Sequence, residues 1–371
     1  MYTRLKKLKQ SLKENINFYS LYLFVTKRHI NKEIPLKLYI QECKKYKKAI
    51  KTDIRKDLIF EQIKIFFLTS LTLMSDNLVF SDDKRDPIVF VVVRNEIERM
   101  KIFFDHYRKL GIHQFVVLDN GSDDGTLEFV MNQNDTKVYQ TLNPYQTEKR
   151  ISWLEKLLVL NGMNRWCIVV DSDELLDYEG SNEHSIKDLV QKSVELGHNR
   201  IWGLMLDMYS KEPLFSEEDI RISITENYKY FDTDSYVLNI VGEPDAVKLF
   251  DEIYGGPRYR VFKQKMTLSK QAIFYFGKDV LYRNSHFLSP VIRWGEAPCW
   301  FVLKHYKFLQ NDKAEYERRV KKKCFFLDSK NYKSILKQIG DNKVSLFYEG
   351  SYEFKDSSSL KCLPYLEEIP W

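Results

Sequence analysis

Ile88-Val89-Phe90-Val91-Val92-Val93 places six apolar residues in a row, mostly β-branched, behind Pro87. A strand of this kind has no face to give to water, so it belongs in a sheet covered on both sides. Ile97, Met100, Phe103, Phe104, Tyr107 and Leu110 then recur at helical spacing, and Gly111 follows as a C-terminal cap. The pattern repeats. Phe115–Leu118 is a second buried strand that runs into Asp119-Asn120-Gly121-Ser122, and Thr126 opens another helix. Cys167–Val170 is a third, running into Asp171-Ser172-Asp173-Glu174, and 201–206 reads as a fourth. Strands alternating with helices from 88 to about 210 predict an α/β fold with a doubly wound, mostly parallel sheet.

Such sheets bind ligands beyond the carboxyl ends of their strands. Three strand ends here carry polar clusters: Arg94-Asn95-Glu96, Asp119-Asn120 and Asp171-Ser172-Asp173-Glu174. Asp171 and Asp173 can share one hard divalent cation and leave positions open for phosphate oxygens. Asp-x-Asp alone is weak, because about one should arise by chance at an Asp usage of ~5%. Asp232-Thr233-Asp234 is an internal comparison: no apolar strand feeds it, so it reads as a solvated loop. At Asp119 the choice is between a hydrogen bond to ribose or base and an Asp/Asn/Gly turn that caps a helix.

Charge separates the chain into two parts. Residues 1–80 hold 17 Lys+Arg and 7 Asp+Glu, a net of +10, so the remaining 41 basic and 45 acidic residues carry −4. Leu5, Leu8, Leu12, Ile16 and Tyr19 fall at helical spacing among lysines. Residues 1–80 therefore read as a basic helical extension, and 81–371 as the main α/β domain. Two uses of the extension stay open: packing on the enzyme, or resting on an anionic membrane surface. Nucleic acid is not the expected partner, since no reading motif accompanies the charge. Five scattered cysteines with no C-x-x-C pair suit a reducing compartment. No N-terminal apolar run is long enough to span a bilayer. The expected place is the cytoplasm, peripherally on the inner membrane if the extension binds lipid.

Several blocks in order resemble the bacterial branch of family 2 glycosyltransferases that is close to family 92. They are Val93–Glu96, Leu118–Thr126, Val170–Leu176, Met205–Ser210, Gly255–Phe262, Leu268–Lys270, Ser285-His286 and Leu303–Phe308. The resemblance spans roughly 87–365, with a nucleotide-binding half at about 87–210 and an acceptor side at about 211–371. It implies a GT-A fold, a nucleotide-sugar donor with UDP favoured, Mn²⁺ or Mg²⁺, and transfer with inversion to a glycan or glycolipid acceptor in surface polysaccharide synthesis. By the same resemblance Asp171 and Asp173 are the metal motif, Glu96 and Asp119 lie near the nucleoside, and His305 stands beside the metal. Arg94, Asn120 and Arg258 join the donor-binding set, with Arg258 and Arg260 either reaching the diphosphate or forming salt bridges. Inversion needs a carboxylate to take the acceptor's proton; Asp207, at a strand end, and Glu296, flanked by Trp294 and Trp300, are the candidates. The rival readings are a sugar nucleotidyltransferase, whose glycine-rich loop after the first strand is missing at 94–98, and a non-catalytic binding protein on the same fold.

Overall fold

The computed structural model describes residues 69–371 except 216–222, 241–250, 310–311, 323–329 and 341–343, together with 41–42, 44–46, 48, 62 and 65–66. Nine strands form the central sheet: β1 (Thr72–Asp76), β2 (Ile88–Val93), β3 (Phe115–Asp119), β4 (Thr136–Gln140), β5 (Trp166–Val169), β6 (Glu174–Asp177), β7 (Arg200–Asp207), β8 (Ser269–Tyr275) and β9 (Cys299–His305). Their spatial order is β1-β4-β3-β2-β5-β8-β7-β9-β6. β4, β3, β2 and β5 are parallel neighbours, and β8 lies antiparallel to both β5 and β7. β9 runs parallel to β7, while β6 and β1 close the two edges antiparallel. Six of the nine strands therefore share one direction, and the protein is α/β with a large mixed sheet compatible with a Rossmann-like arrangement.

Alternation along β2 divides the core between the two faces, as a two-residue period requires. Val89, Val91 and Val93 enter one cluster with Phe103, Phe104 and Tyr107 of α1 (Ile97–Lys109). Ile88 and Phe90 face the other, beneath Trp153, Leu154, Leu157 and Leu158 of α3 (Thr147–Asn161). Between these helices lies the short α2 (Thr126–Met131). The end of α1 is fixed by Gly111. Its φ of +86° lets the Ile112 N–H reach the Tyr107 carbonyl at 3.0 Å and its own N–H reach Arg108 at 2.9 Å, satisfying carbonyls the helix would leave open.

α3 is buried almost all round, which demands cover on the side away from the sheet. The described part of the extension supplies it. Tyr46 and Phe66 join the α3 cluster, and Lys45 Nζ lies 2.5 Å from Glu42 and 3.2 Å from Glu155 of α3. The Ser152 hydroxyl donates to the Gln62 carbonyl at 3.2 Å, and Lys156 donates to that of Thr69. Packing on α3 is thus what the described residues between 41 and 66 do. The Leu5/Leu8/Leu12 stripe lies outside the described residues. The boundary expected at residue 80 also shifts, because β1 pairs with β4 and belongs to the sheet. Among the described residues no helix is long and apolar enough to cross a membrane.

Candidate active site

The sheet brings most of the expected residues to one edge. β5 and β7 both run antiparallel to β8, so Asp171, just past β5, and Asp207, the last residue of β7, lie at the same end of the sheet. Register aligns His305 of β9 with Asp207 on one side and Glu174 of β6 on the other. The turn at Asp171–Asp173 carries the chain from β5 past the ends of β8, β7 and β9 to the far edge. It is held there by the Tyr306 N–H on the Asp173 carbonyl at 2.8 Å.

Two linked chains of charge meet in this turn. In the first, His305 Nδ1 lies 2.8 Å from Asp207 Oδ1 and Nε2 lies 3.4 Å from Asp173 Oδ2, while Arg258 Nε donates to Asp207 Oδ2 at 2.6 Å. Burial opposes charge on the imidazole, but Asp173 and Asp207 outweigh it and lift His305 to about 9. Burial likewise works against the Asp207 carboxylate, yet Arg258 and His305 bring it down to about 2. In the second chain Arg150 of α3 pairs with Asp171, the Asp171 N–H donates to Glu174 Oε2 at 2.8 Å, and Lys270 Nζ donates to the same oxygen at 2.5 Å. Despite burial, Asp171 is held below the usual carboxylate range chiefly by Arg150, and Asp173 chiefly by His305.

The donor set fits a cation only in part. Asp171 and Asp173 are kept ionised with side chains 39% and 25% exposed, so both can offer oxygens outward. Both His305 nitrogens are engaged by carboxylates, and that pairing favours the imidazolium, which has no lone pair to offer a metal. Among the described residues no group of three or more His, Cys, Asp or Glu is arranged for a metal. A cation completed by diphosphate oxygens and water needs no more than one or two carboxylates.

The remaining candidates divide. Glu96 pairs with Arg99 at 3.0 Å, and Arg99 also grips Asp312 at 2.7 Å. Burial raises Glu96 to about 7 against the pull of Arg99, with the nearby Asp173 adding to the rise. Arg94 is exposed. Asp119 is buried and spent on its own loop and on β4, accepting from the Gly121 N–H at 2.9 Å, the Ser122 N–H at 3.1 Å and the Gln140 side chain at 3.0 Å. The turn-forming alternative therefore describes its contacts. Asn120 donates to the Thr141 and Asn143 carbonyls at 2.9 Å, which leaves its buried Oδ1 without a partner.

Two expectations need correction. Glu296 sits in an exposed turn, where it accepts from the Arg293 N–H at 2.7 Å. It precedes β9, whose seven residues separate it from His305 by roughly 20 Å or more at ~3.3 Å per residue. Its supposed platform is core, since Trp300 is buried and Trp294 packs on Trp202. Asp232 is not in a solvated loop. It is fully buried and accepts from Tyr209 at 2.6 Å, from Arg260 at 2.9 and 3.0 Å and from Ser235 at 3.0 Å. Only Asp234 is exposed, bonded to the Tyr348 hydroxyl. Arg260 accordingly serves a salt bridge.

Sequence reasoning missed Arg99, Arg150, Lys270 and Asp312. Nothing in the local pattern singles them out, and the partners that do lie far off: Arg99 and Asp312 are 213 residues apart, Arg150 and Asp171 21, and Lys270 and Glu174 96. A scan against protein-family models finds no match for this chain, and a search of curated proteins finds none.

Proposed function

We propose that this protein is a metal-dependent, inverting glycosyltransferase of GT-A type, using a nucleotide-diphosphate sugar, with UDP the favoured carrier, and a glycan or glycolipid acceptor. The observation that carries the reading is the convergence of Asp171, Asp173, Asp207, His305 and Arg258 at the carboxyl-end edge of a Rossmann-like sheet. Mn²⁺ or Mg²⁺ held by Asp171 and Asp173 would offset the charge that develops on the departing diphosphate. The chain's own residues prepare that position. His305 pins Asp173 from one side, and Asp207 orients His305 while Arg258 keeps Asp207 ionised. Arg258 Nη2 is buried without a partner and is the donor here with capacity to spare for an oxygen of the substrate. Asp207 has both oxygens held, so in this arrangement it positions its neighbours. It is also the one of the two base candidates that stands at the correct edge.

Asp173→Asn is the cleanest test, because Asp171→Ala would also leave the buried Arg150 without its partner. Asp173→Asn should keep the fold, by circular dichroism and melting, and lose Mn²⁺-dependent turnover of a UDP-sugar. EDTA should silence the wild type reversibly. Near-normal turnover of Asp173→Asn at saturating Mn²⁺ contradicts the assignment.

A further inference from the structure

Arg150 lies in the first turn of α3, with its side chain 8% exposed, while the Asp171 side chain it holds is 39% exposed. The pair thus has an inner cation and an outward carboxylate. The Asp171 backbone is fixed separately, through Glu174 Oε2 at 2.8 Å, and Glu174 is itself held by Lys270. The exchangeable contact is therefore the one between side chains. Beside it, the Tyr282 hydroxyl is buried with no hydrogen-bond partner, and Arg150, Lys270, Asp171 and Glu174 are the charged groups around it. The network is one bond short as it stands, and a shift of Arg150 is a way to complete it.

Resting on the transferase reading above, we propose that Arg150 is a built-in counter-ion for Asp171, displaced when a divalent cation arrives, and that it then turns to the diphosphate. A cation binding alone would take Asp171 and leave a buried guanidinium unpaired, which is costly. A diphosphate binding alone would meet the Asp171 carboxylate. Together they exchange partners evenly: Asp171 passes to the cation, and Arg150 passes to phosphate oxygens whose geometry suits its planar fork. Arg150 thereby suppresses binding of free cation and makes the two ligands depend on each other.

Calorimetric titration of the full chain with MnCl₂, with and without saturating UDP, tests this. Arg150→Gln should bind Mn²⁺ alone about tenfold or more tightly than the wild type, as expected if the free-Asp171 state is about a tenth populated. The extra Mn²⁺ affinity conferred by UDP should be correspondingly smaller in the variant. In the wild type, which needs no variant to fold, Mn²⁺ alone should raise the melting temperature far less than Mn²⁺ with UDP. Equal Mn²⁺ affinity in the two proteins, with UDP enhancement intact, overturns the counter-ion role and leaves the transferase reading standing. So does a wild-type melting shift from Mn²⁺ alone that matches the shift from both ligands. Absence of Mn²⁺ binding by either protein, even with UDP, overturns both proposals.

Discussion

The two Asp-x-Asp pairs show how much a single residue's meaning depends on its partners. Asp171 and Asp173 follow an apolar strand, and their place at a sheet edge was legible from it. Asp232 has the same local spacing, but its partners Tyr209 and Arg260 lie 23 and 28 residues away. Nothing next to it announces that it is buried. Asp232→Ala should therefore destabilise the protein by about 3 kcal/mol, because it leaves a partly buried guanidinium without its counter-charge, with only the Leu346 carbonyl to accept from it, and reduces the buried Tyr209 hydroxyl to its contact with Ser351. Asp234→Ala, at an exposed position, should be nearly neutral. Urea denaturation of both variants checks this, and equal small effects would contradict it. His106 supports a prediction in pH. Its ring sits against the Leu176 carbonyl at 2.6 Å, and burial, aided by Lys304, lowers it to about 4. Between about 6.5 and 4 the unfolded chain takes a proton that the folded one refuses. This contribution is therefore complete above about 6.5 and is lost as pH falls toward 4. The His106 ring resonances should report a neutral imidazole at pH 5.5. A protonated ring there would remove the claim.

At the scale of elements, the strands that could be read are those with unbroken apolar runs: β2, β3, β5 and β7. β1, β4, β6, β8 and β9 were not read as strands, and for β6, β8 and β9 the reason is electrostatic. Lys270 and Lys304 interrupt β8 and β9, and their neutralising carboxylates, Glu174 and Asp177 of β6, lie 96 and 127 residues away in sequence. Two charges that argue against a buried strand when read locally become a reason for it once the strands pair. The same four side chains tie the sheet's far edge to the site. Gly203 of β7 shows a second dependence on pairing. A Cβ there would lie 2.0 Å from the Phe301 ring on β9, next to the strand pair that ends in Asp207 and His305. Gly203→Ala should cost about 1–3 kcal/mol through overpacking. It should also weaken activity, since it shifts β9 against β7. Unchanged stability would mean that Phe301 can rotate away freely.

For the whole molecule, the α/β class and the position of the Asp171–Asp173 turn beyond the end of a buried strand were legible, because they rest on local runs and their ends. The join between the extension and the α/β domain was not, because it depends on α3 needing cover on two sides. A chain starting at Ser81 would lose β1, Tyr46 and Phe66 and expose the outer face of α3. It should melt well below the full chain or aggregate, and a melting temperature equal to the full chain's would show the extension to be dispensable. Tyr46→Ala is the milder form of the same test, with an expected loss of about 3 kcal/mol for a buried aromatic.

The central claim is that the edge assembled by Asp171, Asp173, Asp207, His305 and Arg258 breaks the bond between a sugar and a nucleoside diphosphate. It is tested most directly by incubating the full chain with a panel of nucleotide sugars and Mn²⁺ and following the phosphorus products by ³¹P NMR. The account predicts release of a nucleoside diphosphate with free or transferred sugar from at least one donor, abolished by EDTA and by Asp173→Asn. Production of pyrophosphate chemistry instead, or no turnover of any donor with the metal present, would contradict it.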